Sequence, residues 1–260
     1  MIFDDDIKFC ASLVETSDPH RFRSIMAAPE KLRPYYFVIF AFNIEVSRAP
    51  YLTKEPMIAE IRIQWWLDVL DEIIEKKIVR KHAVAIPLAK NIEKAQAKEL
   101  QKVVLARKWD IHSDKFESFY DLKNYLYDST VILLQVASGS DFVSSNKRFQ
   151  DAGMAIALAN YLIAIPELKR LGKVPLAGVL LNQIGQQCEI ALNNLKLAKT
   201  DLRNFTEQEK WVLFTGWKSW KILRAVASNP ENLDNVVAKF ENKRMTCLLY
   251  TSDAADESVG

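Results

Sequence analysis

The chain has 260 residues, of which 49% are hydrophobic and only 7 are glycine, a balance that supports a sizeable buried core and excludes a disordered chain. Its 35 basic and 33 acidic residues are interspersed and leave a net charge of +2, which argues against nucleic acid as a partner. Cys10, Cys188 and Cys247 lie far apart and are odd in number; they suit neither a metal-ligand spacing nor a disulfide framework, and they fit a reduced, cytoplasmic setting.

The first residues, MIFDDDIKF, are acidic and lack a basic and an apolar region, so no signal peptide is predicted. No apolar run reaches about 18 residues without a charge, so no membrane-spanning helix is predicted either. Few glycines and many Ala, Leu, Ile, Lys and Glu favour helix over strand. Phe9 to Val14 reads as a short helix. Asp18-Pro19, a cap followed by proline at the first helical position, opens HRFRSIMA. Pro29 and Pro34 bracket the next start. Tyr35 to Val46 is almost wholly apolar, as in a helix buried on most sides. Thr53 with Pro56 opens a helix carrying Ile63, Trp66, Leu67, Leu70 and Ile74 on one stripe, with Gln64, Asp68, Asp71 and Glu75 opposite.

Lys77 to His82 is a basic link, and Leu88 to Trp109 a long amphipathic helix. Asp114 with Glu117 is a capping-box pattern that opens a helix through Tyr125 to about Ala137, broken at Gly139-Ser140-Asp141. Gln150 to Leu171 is a further apolar helix, ended by Gly172. Pro175 to Lys199 continues helical. Thr206 and Glu209 form another capping box before WVLFTGWKSWKIL, and Asn229-Pro230 starts a last helix to about Phe240. No stretch alternates with period two. The pattern predicts one all-α domain over residues 1–245, of roughly eight to ten helices. From Thr246 the segment TCLLYTSDAADESVG departs from the helical pattern. It resembles a translated sequencing-adaptor read-through, which would leave the natural C-terminus missing; an ordinary disordered tail is the other reading.

Several side chains admit two readings each. Asp68, Asp71 and Glu72 put carboxylates on neighbouring turns of one helical face, either a magnesium site or a solvated face. Glu45 is a ligand or the ion-pair partner of Arg48. Asn160, in an apolar helix, contacts a ligand or a neighbouring helix. Tyr35, Tyr36, Phe37, Phe40, Phe42, Trp65 and Trp66 line an apolar tunnel or pack as core. His20, His82 and His112 are scattered and read as loop or surface residues. Trp211, Trp217 and Trp220 pack the bundle or meet a membrane or partner.

Four stretches resemble the squalene and phytoene synthase family between Val14 and Val179. Asp18-Pro19-His20-Arg21-Phe22 is similar to the segment where a phenylalanine and basic groups face substrate. Tyr36 to Asn43 is similar to the aromatic approach to the first aspartate-rich motif; Asn43-Ile44 stands for Cys-Arg, and Ser47 and Tyr51 stand for the two aspartates. Tyr125 to Leu134 resembles a glycine-containing diphosphate-binding helix, with Val131 and Leu134 at the glycine sites. Ala157 to Leu162 resembles the run before the second motif, where Ile163 and Ala164 replace Arg-Asp and Glu167 is the nearest carboxylate. Gly172 to Leu176 is similar to the segment that follows. FAFNIEV and IRIQWWLDVLDEI are closer still to a divergent branch that includes a mitochondrial assembly factor of respiratory complex I and alphaproteobacterial relatives.

The resemblance implies an isoprenoid-synthase-like helical bundle around a central cavity. Active members join prenyl diphosphates head to head on magnesium, a hard cation held by carboxylate oxygens. Three functions follow as expectations. The first is a non-catalytic pseudoenzyme in complex I assembly, with no cofactor and with membrane-complex subunits or a membrane surface, such as the inner membrane periphery, as partners. The second is a magnesium-dependent prenyltransferase acting on farnesyl or geranylgeranyl diphosphate with displaced ligands, Asp68, Asp71, Glu45 and Glu167. The third is a prenyl-lipid binder without turnover. Arg21, Phe22, Tyr36, Phe40 and Asn160 are the substrate-contacting candidates.

Overall fold

The computed structural model describes residues 4–112, 115–139, 146–176 and 179–240, and every regular element among them is helical. The described residues up to His112 form one compact unit and those from Lys115 to Phe240 a second. The segment from Thr246 lies outside the described residues.

The first unit holds α1 (Asp5–Ser17), α2 (Pro19–Ala27), α3 (Arg33–Arg48), α4 (Pro56–Ile74), α5 (Ala85–Asn91), α6 (Lys94–Ala106) and α7 (Lys108–His112). α1 starts four residues before the predicted Phe9. Asp4 Oδ1 accepts from the Ile7 N–H at 2.9 Å, and Asp5 and Asp6 occupy the first turn, where carboxylates meet the positive end of the helix dipole. The Asp18 cap and Pro19 open α2 as predicted. α3 is enclosed by α1, α2 and α5. Every side chain from Tyr36 to Phe42 is buried, each large ring contributing roughly 2–3 kcal/mol.

α4 begins at Pro56, but Thr53 does not cap it. Its Oγ1 accepts from the Glu55 N–H at 3.1 Å, inside the preceding turn, and Glu55 holds the cap position. The inward face is Ala59, Ile63, Trp66, Leu67, Val69, Leu70 and Ile73, packed on α6 and α7. Ile73 rather than Ile74 ends the buried stripe. α4 terminates at Lys76, whose φ of 58° is left-handed. The Lys77 N–H then bonds Glu72 O at 2.8 Å and the Lys76 N–H bonds Ile73 O at 3.1 Å, a Schellman closure with lysine where glycine is usual. The long helix predicted over 88–109 is three helices. Asn91 Nδ2 donates to Pro87 O at 2.7 Å, Ile92 is extended, and Glu93 with Gln96 restarts the helix as a capping box.

The second unit holds α8 (Phe119–Leu126), a π turn at Tyr127–Val131, α9 (Ile132–Ser138), α10 (Lys147–Arg170), α11 (Val179–Thr200), α12 (Glu207–Phe214), α13 (Ser219–Ser228) and α14 (Leu233–Ala238). α8 is capped by Ser118 and Asp121, not by the predicted Asp114 and Glu117; Asp114 lies outside the described residues. Serine in extended backbone offers its hydroxyl to the Asp121 N–H, and Asp121 returns a bond to the Ser118 N–H at 2.9 Å. Thr206 and Glu209 cap α12 as predicted. α10 is the core helix of this unit, packed on α8, α11, α12, α13 and α14. It alone among the described helices is long and apolar enough to cross a membrane, and half of that stretch is buried.

The helix predicted through WVLFTGWKSWKIL is divided at Gly216. A β-carbon there would sit 2.4 Å from Ile156 Cγ1 on α10, far inside contact distance. Gly216→Ala is therefore expected to destabilise the fold by about 1–3 kcal/mol, read as a lower denaturation midpoint. Adding Ile156→Ala should cost less than the two single changes summed; strict additivity would show that the two sites do not meet.

Candidate functional site

In the first unit, α2, α3 and α4 carry most of the candidate residues. Asp18 Oδ1 accepts from the Arg21 N–H at 3.0 Å, and its other oxygen lies 3.2 Å from Arg21 Nε. The Arg21 guanidinium lies 4.6 Å from the centre of the Phe40 ring, a cation–π contact. Phe22 packs on Phe37 with ring centres 5.5 Å apart. Tyr36 and Phe40 are fully buried. Tyr35 accepts a bond from Gln96 Nε2 at 2.8 Å, and burial raises its phenol well above the ordinary range. Ser47 Oγ donates to Ile44 O at 3.1 Å, back into its own helix. Asn43 Oδ1 is sealed from solvent without a hydrogen-bond partner, an arrangement that costs about 1–3 kcal/mol.

The carboxylates proposed as displaced metal ligands each have a protein partner. Glu45 is buried and accepts from Arg48 Nη2 at 2.5 Å. Asp68 accepts from Gln64 Nε2 at 2.8 Å and from Arg80 Nη1 at 3.3 Å. Asp71 accepts from Gln101 Nε2 at 2.8 Å. In the second unit, Glu167 accepts from Arg170 Nη1 at 2.5 Å. Among the described residues no three His, Cys, Asp or Glu side chains gather as a metal site.

Sequence reasoning missed Arg80, which it left in a basic link. Arg80 Nε and Nη2 donate to Glu72 Oε1 at 2.9 and 2.7 Å, and its backbone N–H donates to Glu72 Oε2 at 3.0 Å. These bonds hold the Glu72 carboxyl below its ordinary range. The guanidinium also lies 5.5 Å from the Trp65 ring centre. The left-handed closure after α4 turns the following residues back along the helix, and with lysine at position 76 no glycine in the sequence signals it.

His82 lies in the loop after α4, as read from the sequence, and is half-buried there. Its ring packs at 5.1 Å from Trp65 and 5.3 Å from Trp66, and Trp66 in turn meets Phe42 edge-on at 5.3 Å. His82 Nδ1 accepts from the Val84 N–H at 3.1 Å, which fixes the acceptor nitrogen. His112 pairs with Glu60 at 2.9 Å, across 52 residues, so spacing within the sequence could not reveal it. Burial lowers the His82 pKa from 6.5; Glu45 opposes the shift and Arg48 adds to it. A histidine that folding keeps neutral binds fewer protons than in the unfolded chain, so stability falls as pH drops through 6.5 and levels below the lowered value. The slope is at most about 1.4 kcal/mol per pH unit, and less because the ring is only half enclosed. Denaturant midpoints between neutral and mildly acid pH should show this slope, and His82→Gln should flatten it; an unchanged slope would remove His82 as its source.

In the second unit, Val131 and Leu134 are buried, and their methyl groups stand 3.5 and 3.6 Å from where a β-carbon of Gly153 would sit. These side chains fill the space against α10, and the glycine is on the facing helix. Asn160 is partly exposed. Tyr161 Oη donates to Pro175 O at 2.8 Å, and its ring stacks edge-on with Phe116 and Tyr125 at 6.2 Å. Burial pushes the Cys10 and Cys188 thiols up to about 12, so neither is a nucleophile near neutral pH.

Two curated relatives are both complex I assembly factors by name. NADH dehydrogenase (ubiquinone) complex I, assembly factor 6 homolog of Drosophila melanogaster is 28% identical over 191 residues, 69% of this chain. The Bos taurus assembly factor 6 is 23% identical over 129 residues, 49% of this chain. The matches span 57% and 38% of those proteins' own lengths. A dehydrosqualene synthase crystal structure superposes with a TM-score of 0.70 over 97% of both chains at 15% identity. The squalene synthase of Alicyclobacillus acidocaldarius gives 0.64 over 87% of this chain and 95% of its own, again at 15% identity. At such identity these two establish the isoprenoid-synthase-like helical fold. Residues 14–208 match the squalene/phytoene synthase family over three-quarters of the sequence, and the chain belongs to that family.

Proposed function

We propose that this chain is a non-catalytic squalene/phytoene synthase family member that acts in the assembly of respiratory complex I. The observation that carries the reading is the state of the carboxylates. Glu45, Asp68, Asp71 and Glu167 are each engaged by an arginine or glutamine of the same chain. Magnesium in this family is held by several carboxylate oxygens directed at one ion. Here the oxygens are spent singly, and an ion at Asp68 would have to displace the Arg80 guanidinium that also serves Glu72. The donor set does not suit the ion, so no ionisation of an allylic diphosphate is routed through it. In the register that the family resemblance implies, Ser47 and Tyr51 stand for the two aspartates of the first motif and Ile163-Ala164 for the Arg-Asp of the second. The names of the relatives point the same way.

A prenyl-lipid binder is the second reading. It is favoured by Asn43 Oδ1, a buried acceptor without a partner near the end of the aromatic helix, which a lipid headgroup carrying a hydroxyl would meet as donor. In that reading Arg21, Phe22, Tyr36 and Phe40 of the first unit are the lipid-contacting candidates, and native mass spectrometry of the purified protein should show a lipid retained.

Purified protein given farnesyl or geranylgeranyl diphosphate with magnesium is expected to release no diphosphate above the protein-free rate; sustained release would overturn the non-catalytic assignment. Deleting the gene should lower the amount of assembled complex I and its NADH oxidation. Unchanged complex I in the deletion strain would overturn the assembly role.

A further inference from the structure

We propose that the elbow between α12 and α13 is a docking surface for a membrane carrying anionic lipid headgroups. The surface stands whether or not the chain turns over a prenyl substrate. Thr215 to Ser219 bridges the two helices by i to i+3 bonds, with the Trp217 N–H on Phe214 O at 3.1 Å and the Ser219 N–H on Gly216 O at 2.8 Å. Residues three apart in such a turn lie on one side. Phe214, Trp217 and Trp220 follow that spacing and are 45, 48 and 45% exposed. On the other side Val212, Ser219, Ile222, Leu223 and Val226 are buried. Gly216 fixes the arrangement: its bare backbone seats against Ile156, which presses the turn onto α10 and leaves its aromatic neighbours outside.

The charge on this elbow selects the partner. Lys210, Lys218, Lys221 and Arg224 fall within it, and no acidic residue occurs from Lys210 to Pro230. Those four charges compare with a net +2 for the whole chain. Lys210, Lys221 and Arg224 are exposed, and Lys218 Nζ lies 5.4 Å from the Trp217 ring centre. Exposed indole rings beside lysine and arginine match the headgroup boundary of a bilayer, where an amphipathic ring meets apolar chains and the cations meet phosphate. A protein partner of mixed charge would not ask for a run of twenty-one residues without an acidic one.

Sedimentation of the full chain with vesicles tests this. The protein should pellet with vesicles of phosphatidylcholine mixed with phosphatidylglycerol and stay in solution with phosphatidylcholine alone. Binding should fall steeply between about 0.1 and 1 M salt, where the screening length drops from ~10 to ~3 Å. The K221E/R224E variant should lower the partition coefficient about tenfold or more. W217A/W220A should weaken binding even at low salt, while K94E/K98E on α6, the same charge change elsewhere, should leave it intact. Circular dichroism of each variant confirms that it is folded. Equal binding by all three variants, or equal binding to both vesicles, would overturn the assignment. No binding to either vesicle would overturn it too, and would leave an acidic protein surface as the occupant.

Discussion

The contact on which the chemistry of the first unit turns is the Arg80 guanidinium between Glu72, Asp68 and Trp65. Without it, α4 would carry Asp68, Asp71, Glu72 and Glu75 on two successive turns, a concentration of like charge that weakens a helix and attracts a cation. The chain supplies its own cations. Lys76 accepts a left-handed conformation that costs a side-chain-bearing residue roughly 1–2 kcal/mol. In return the following residues run back along α4 and deliver Arg80 to Glu72 through three hydrogen bonds. Lys77 reaches Glu75 at 2.5 Å by the same reversal. Arg80 is about one-third exposed, so the pairing adds little to stability. Its weight is chemical, because a cation of the same chain engages the oxygens of Glu72 and Asp68.

Three other groups likewise close on the protein itself. Ser47 returns its hydroxyl to Ile44 O, Val131 and Leu134 fill the space facing Gly153, and Glu45 closes on Arg48. These contacts satisfy polar groups or fill volume within the protein itself. A site kept for a charged substrate leaves such groups open and bears the cost in stability. Asn43 keeps one buried acceptor unmet, and it is the residue on which a lipid-binding reading rests.

The aromatic helix was legible because an almost wholly apolar run from Tyr35 to Val46 is expected to be buried on most sides, and α3 is buried accordingly. The caps at Asp18 and Thr206 were legible for a similar reason: a short polar side chain followed at fixed spacing by its reciprocal partner is local chemistry. Breaks inside long polar helices were not. Over 88–109 the abundance of Lys and Glu masked the Glu93–Gln96 box, and α12 and α13 separate at Gly216 because of Ile156, a residue 60 positions away. The carboxylate partners were hidden in the same way. Glu45 and Glu167 pair within one helical turn and could be anticipated, whereas Asp71 depends on Gln101 and His112 on Glu60, contacts that exist only once the helices pack.

His82 sits in a loop, as its sequence reading has it, yet packing gives it contacts that the reading did not foresee. Its neighbours in the chain, Lys81 and Ala83, suggest a solvated link. The reversal after Lys76 instead lays the imidazole against Trp65 and Trp66, with its acceptor nitrogen held by the Val84 N–H. Those two indoles therefore have different tasks. Trp66 faces inward onto Phe42, while Trp65 stacks under the Arg80 guanidinium as well as His82. One tryptophan builds the core and the other orients the cation that neutralises the acidic face. The pair thus links the packing of α3 and α4 to the pairing of the carboxylates on α4, and the core and the charge balance of this region rest on the same few side chains.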